Sequence, residues 1–133
     1  MQINELTLRD FRNYHSQTVT LDPSCNVIFG ENAEGKTNLL EAVLYLSSGK
    51  SPRARRDREL IRFDADSAGI TGRFFTRQRD FTVRVDLFRG QRRKMSVNGV
   101  TAKTAAALGE VSATVFFCPD DLYLIREGAA QRR

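Results

Sequence analysis

From residue 3 the chain alternates between apolar and polar positions. Ile3, Leu6, Leu8 and Phe11 recur with a period close to two within INELTLRDF, which predicts a strand with one buried face. SQTVTLD repeats the pattern with Val19 and Leu21 and predicts its partner, with RNYHS as the turn between them. CNVIFG, residues 25–30, is apolar without alternation, the pattern of a central strand covered on both faces. In KTNLLEAVLYLSSG the spacing becomes helical. Leu39, Val43 and Leu46 share one face and Leu40 and Leu44 a neighbouring one, so most of this helix is expected to be buried, with Glu41 as the main polar exception. Gly49 and Pro52 end it.

Beyond the helix, SPRARRDRELIRFDAD is basic and irregular, with a short helix expected near Asp57 to Arg62. AGITGRFFTR, RDFTVRVDLFRG and RRKMSVNG predict an antiparallel meander with turns near Gln78 and Gly90, and Phe81, Val83, Val85 and Leu87 on one face. TAKTAAALGE predicts a short helix, SATVFFC a buried strand, and PDDLYLIREGAAQRR the start of a helix or turn. There is no internal repeat and no low-complexity segment.

Composition narrows the class. A length of 133 residues suits one small domain, and 41% hydrophobic with 28% charged residues is ordinary for a soluble globular protein. No run approaches the ~18 apolar residues of a membrane span. The N-terminus alternates and carries acids, unlike a secretory signal, so the expected location is the cytoplasm and no membrane partner is expected. Cys25 and Cys118 lie in apolar runs and are expected to be small buried residues without a disulfide. His15 is the single histidine and no spacing suits zinc. The net charge is +5, with arginine gathered in RARRDR, RGQRRK and the closing QRR, which suits phosphate-rich partners or solvated loops.

The chemistry centres on GENAEGKT, which fits G-x-x-x-x-G-K-[ST] at Gly30, Gly35, Lys36 and Thr37 after a predicted strand and before a predicted helix. The glycines let the backbone turn and bring N–H groups close to phosphate oxygens, and the helix N-terminus adds partial positive charge. Lys36 is expected to reach the β- and γ-phosphates and Thr37 to place its hydroxyl on Mg²⁺. In TVFFCPDDL, Asp120 and Asp121 follow an apolar run. They could be a magnesium-binding acidic motif, a strand-end loop beside the nucleotide, or simply a helix cap.

LRDFRNY, GENAEGKTNLLEAVLYLS and FFCPDDLYLIREGAAQRR, in this order, resemble the RecF family, bacterial recombination-mediator ATPases related to SMC-like and ABC-type ATPase heads. The resemblance covers residues 3–133. It implies an α/β fold, a P-loop NTPase of ABC/SMC-like head type whose N-terminal lobe carries an antiparallel β subdomain packed on the P-loop core. It implies that Gly30, Glu31, Asn32, Ala33, Glu34, Gly35, Lys36, Thr37 and Asn38 hold ATP, with Mg²⁺ on Thr37. Arg12 and Asn13 then lie near the base or phosphates, and Asp120 and Asp121 take the place of a Q-loop. It further implies DNA as a partner at junctions of single and double strands, RecO and RecR as protein partners in loading RecA, and homodimerisation when ATP is bound. Arg53, Arg55, Arg56 and Arg58, and Arg92, Arg93 and Lys94, become candidate DNA-backbone contacts.

In that family the signature motif and the acidic motif for hydrolysis lie further along the chain. Residues 1–133 are therefore expected to be one incomplete lobe and a piece of a longer protein: 1–50 with the P-loop, 51–66 a basic connector, 67–100 the meander, and 101–133 a helix, strand and Q-loop-like segment. Alone it is expected to be monomeric, to bind nucleotide weakly and to hydrolyse almost none. The competing readings are a small P-loop kinase, disfavoured by two strands preceding the P-loop, and a non-catalytic nucleotide- or DNA-binding module.

Overall fold

Alternation along the first ten residues builds the first strand of the computed structural model, which describes residues 1–31, 35–76, 78–112 and 114–115. Strand β1 (Gln2–Phe11) turns Leu6, Leu8 and Phe11 inward, and each is fully buried. Strand β2 (Tyr14–Thr20) pairs antiparallel with it, Leu6 opposite Val19 and Leu8 opposite Gln17. The predicted meander follows as β3 (Ser67–Thr76), β4 (Arg79–Phe88) and β5 (Lys94–Val97). A two-residue β6 (Val100–Thr101) closes the sheet. It folds back through Asn98-Gly99, both at positive φ (51° and 80°), the backbone a tight hairpin turn requires. That dipeptide was the hairpin signal, and it extends the meander by a strand the alternation did not announce.

All six strands form one sheet in the order β2-β1-β3-β4-β5-β6. The first hairpin and the meander are thus continuous, with β1 paired to β3 from Gln2↔Phe75 to Arg9↔Gly69. Ile70, Phe74, Val83, Val85, Leu87 and Met95 extend the buried face begun by Leu6 and Leu8. The opposite face is polar, with Arg9 facing both Asp86 and Ser67.

Helix α1 (Lys36–Ser48) covers the apolar face, against β3 and β4. Its buried stripe is Leu39, Ala42, Tyr45 and Leu46, at the i, i+3, i+6, i+7 positions of one helical face. The expected face shifts accordingly: Ala42 and Tyr45 join Leu39 and Leu46 while Val43 is only half-buried, Glu41 is buried on the flank, and Leu40 remains 45% exposed. Gly49 caps the helix at φ 66°, its N–H on the Tyr45 carbonyl. Helix α2 (Ala106–Val111) packs on α1, and the predicted helix at 57–62 is a 3-10 turn, Asp57–Leu60.

Gly72 sits where α1 meets the sheet. A Cβ there would lie 2.6 Å from Leu46 Cδ1 and 2.8 Å from Phe74 Cε2. Both neighbours are buried, so they cannot simply swing away. Gly72→Ala is expected to destabilise the fold by about 1–3 kcal/mol. Urea unfolding of the two proteins checks this, and an unchanged midpoint would show that the helix-sheet gap yields.

Residues 25–30 depart from expectation. They form no strand, Val27 is 79% and Phe29 87% exposed, and Cys25 is an exposed free cysteine. A central strand is stabilised by hydrogen-bonded neighbours and by cover on both faces, and among the described residues neither is supplied. The SATVFFC strand lies largely outside the described residues, as does Cys118; Ser112 caps α2 and 114–115 carry no strand.

Candidate functional site

The N-terminus of α1 is built to receive a negative charge. Gly35 precedes the helix at φ 88°, a left-handed conformation that a side chain would strain, and a Cβ there would fall 2.7 Å from Asn13 Oδ1. Among the described residues no side-chain hydrogen bond caps the helix at Gly35, and no acidic residue lies in its first turn. Its leading N–H groups therefore keep their capacity to bind an anion, with the helix dipole behind them. Lys36 opens the helix, its ammonium donating to the Gly30 carbonyl at the front of the loop. Thr37 is exposed beside it. These residues fit a triphosphate with its metal. Asn32, Ala33 and Glu34 lie outside the described residues, as do Asp120 and Asp121.

The β1–β2 turn supports this loop. Tyr14 donates its hydroxyl to the Gly35 carbonyl at 2.9 Å, and partial burial pushes its own pKa up. Asn13 packs on Gly35 and accepts from Asn38 Nδ2 at 2.8 Å. The sequence resemblance put Arg12 near the nucleotide. In the structure its guanidinium grips Glu41 with two hydrogen bonds, of 3.0 and 2.9 Å.

Glu41 is only 1% exposed and also accepts from Ser51 Oγ and Arg53 Nη2. Burial pushes its pKa up, but the hydrogen bonds from Arg12, Ser51 and Arg53 and the Arg12 charge outweigh this and hold it below the usual carboxylate range. One carboxylate thus ties the β1–β2 turn, the P-loop helix and the basic connector together.

Beside the cradle opens a cavity of about 460 Å³ lined by Arg12, Asn13, Asn38, Glu59, Ile61, Arg62 and Phe63. Backbone bonds from Arg12 N to Leu60 O and from Arg62 N to Asp10 O, both 2.8 Å, fasten this segment to the end of β1. Phe63 is 88% exposed, with the Arg62 guanidinium 6.0 Å from its ring centre. Sequence reasoning missed Ile61, Arg62 and Phe63. An aromatic-basic pair in an irregular segment, in place of further alternation, was the available signal.

The basic runs divide. Arg53 donates to Asn38 Oδ1 and Glu41, so its guanidinium belongs to the cradle's support. Arg93 donates to the Tyr45 hydroxyl at 2.6 Å and to the Gly49 carbonyl, at the far end of α1. Tyr45 in turn donates to Asp57 at 2.7 Å, and burial together with that carboxylate raises its pKa. Arg55, Arg56, Arg58, Arg92 and Lys94 are exposed.

An antiparallel sheet backed by the P-loop helix, with the cradle at that helix's N-terminus, defines a P-loop ATPase head of the ABC/SMC type. The chain belongs to the AAA-domain family, whose model matches residues 5–120. More particularly, it is similar along its whole length to the DNA replication and repair proteins RecF. The RecF of Halalkalibacterium halodurans is 40% identical over 133 residues and that of Clostridium acetobutylicum 35%. The chain covers 36% and 37% of their lengths, so it spans little more than a third of the curated relatives it matches. A solved structure of the recombination mediator RecF with ATP superimposes with a TM-score of 0.86 at 30% identity, covering 98% of this chain and 36% of that one. A structure from a study of ATP-driven dimerisation of SMC ATPases shares the fold, with a TM-score of 0.82 at 21% identity, covering 99% of this chain and 95% of that one. Among the described residues no helix is long and apolar enough to cross a membrane.

Proposed function

We propose that this chain is the nucleotide-binding part of an ATP- and DNA-binding protein of the RecF type, acting in DNA replication and gap repair. The uncapped N-terminus of α1, with Gly35, Lys36 and Thr37 at its head, carries the reading, because it offers N–H groups, a dipole and an ammonium to one anion. Bound Mg²⁺ would neutralise charge on the phosphate oxygens, and the Thr37 hydroxyl would hold it. Arg12 and Asn13 act from behind: Arg12 fixes α1 through Glu41, and Asn13 fixes Gly35. The cavity at Phe63 takes the base, its ring offering one stacking face. Similarity to RecF, one of whose solved structures is of RecF-ATP in the RecFOR pathway, supports extending the role to loading RecA with RecO and RecR and to an ATP-dependent homodimer.

Titration with a fluorescent ATP analogue, with and without Mg²⁺, tests this reading; no saturable binding would end it. Phe63→Ala separates base from phosphate recognition. Losing one stacked base costs about 1–3 kcal/mol, so ATP affinity is expected to fall roughly tenfold while that of inorganic triphosphate stays the same. Equal affinities for ATP would remove Phe63 from the base site.

A further inference from the structure

The Gly35 carbonyl accepts two hydrogen bonds. One comes from the Leu39 N–H at 3.0 Å and is the first bond of α1. The other comes from the Tyr14 hydroxyl at 2.9 Å, reaching across from β2. A carbonyl oxygen has two lone pairs, so this one is fully used. Leu39 alone would satisfy it, and the hydroxyl is therefore surplus to what the helix terminus requires. On this peptide a surplus bond has a geometric effect. A peptide unit is planar and trans, so its carbonyl and the following N–H point in opposite directions. Fixing the Gly35 carbonyl toward Leu39 and Tyr14 aims the Lys36 N–H into the space in front of α1. That N–H is one of the first-turn donors that find no partner inside a helix. Helix ends fray, and a glycine at φ 88° has no side chain to restrain its torsions, so Leu39 by itself holds this peptide weakly.

The hydroxyl stands on a fixed base. The Arg62 guanidinium donates to the Asn13 carbonyl at 3.2 Å, next to the two backbone bonds that fasten the β1–β2 turn to the connector. The Tyr14 ring packs against the apolar core, which leaves its hydroxyl little freedom to wander from Gly35. Partial burial pushes the Tyr14 pKa up, so the phenol stays protonated and able to donate at neutral pH. A donor already aimed at its ligand loses less freedom on binding than one that must be ordered by it.

We propose that Tyr14 is a positioning residue for triphosphate binding: its hydroxyl holds the Gly35–Lys36 peptide so that the Lys36 N–H faces the phosphate. The proposal rests on the reading of the chain as an ATP-binding protein, and adds a residue of the edge strand to that site. Tyr14 acts through the backbone and makes no contact with the ligand itself. Its effect is therefore confined to the phosphates and is blind to the base.

Tyr14→Phe keeps the packing of the ring and removes only the hydroxyl. Parent and variant are titrated with inorganic triphosphate and with the fluorescent ATP analogue. Both ligands are expected to lose affinity by the same factor, about fivefold, which is the net worth of roughly one hydrogen bond. Amide NMR of isotopically labelled protein, saturated with inorganic triphosphate, separates positioning from simple support of the helix. The Lys36 amide proton is expected to move downfield when the parent binds and to move less in the variant, while hydrogen exchange at the Leu39 amide is the same in both. A loss of affinity accompanied by a full Lys36 shift, or by faster exchange at Leu39, overturns the proposal, because the hydroxyl then only steadies the start of α1. A variant that binds triphosphate as tightly as the parent also overturns it, and the nucleotide site stands without Tyr14. If the parent binds neither ligand, the underlying reading falls as well.

Discussion

Replacing Lys36 with alanine is expected to abolish most triphosphate affinity and leave the fold intact. The side chain is half-buried at the mouth of the cradle, with its ammonium resting on the Gly30 carbonyl. That contact is a neutral acceptor that phosphate oxygens would replace with charged ones. Charge-assisted hydrogen bonds contribute about 1.5–3 kcal/mol each, so affinity should fall by roughly one to two orders of magnitude. The unfolding midpoint should stay where it was, because Lys36 lies outside the apolar cluster that holds α1 to the sheet. Nucleotide titration of parent and variant, each checked by thermal unfolding, reads both quantities. Equal ATP affinity would remove the cradle from the mechanism. A large drop in midpoint would mean the lysine is structural.

Glu41→Ala should show the opposite signature: a large loss of stability. The carboxylate is buried and receives Arg12, Ser51 and Arg53, and its removal leaves two guanidiniums facing the vacated space. Breaking an enclosed pair by deleting one partner costs about 3–5 kcal/mol. Here the Arg12 and Arg53 side chains keep 25% and 42% exposure, so water takes up part of the loss and about 2–4 kcal/mol is expected.

The pH dependence has a definite sign. The folded-state pKa of Glu41 lies below its ordinary value of 4.5. The stability it contributes is therefore complete above that value and is lost as pH falls through the lower folded-state value. Glu41→Gln keeps the shape without the charge. The stability gap between parent and Gln variant should be widest near neutrality and close below about pH 4.5. Denaturation curves across that range decide it, and a gap that does not change with pH would mean the charge contributes nothing.

Much of this fold is written in periodicity, and the exceptions have physical causes. β1, β3 and β4 alternate because one face of the sheet meets α1 and the other meets water, and a single period records that difference. Residues 25–30 do not alternate, so their pattern states only that cover is wanted, without saying where it comes from. At the candidate site, glycine spacing exposed the cradle because backbone geometry there depends on residue type. The Glu41 cluster was not legible. Arg12, Glu41 and Arg53 are far apart in sequence, and a charged residue is the same letter whether it meets a partner or solvent. For the same reason Arg93 reads as one of a run of surface cations when its guanidinium is anchored on Tyr45.

Arg12 has a bearing on how mutational scans at this position are interpreted. It holds φ at 52°, where glycine would be conformationally easier by about 1–2 kcal/mol. Arg12→Gly therefore relieves backbone strain in the same step that removes the grip on Glu41, and the two effects have opposite signs. A glycine variant would understate the arginine's contribution by about 1–2 kcal/mol, whereas alanine, which keeps the strain, would report it in full. The difference between those two variants measures the strain in the turn, and only the alanine value speaks for the ion pair. Tolerance of a residue here is thus a poor guide to its importance, since the most tolerated replacement is the one that hides what was lost.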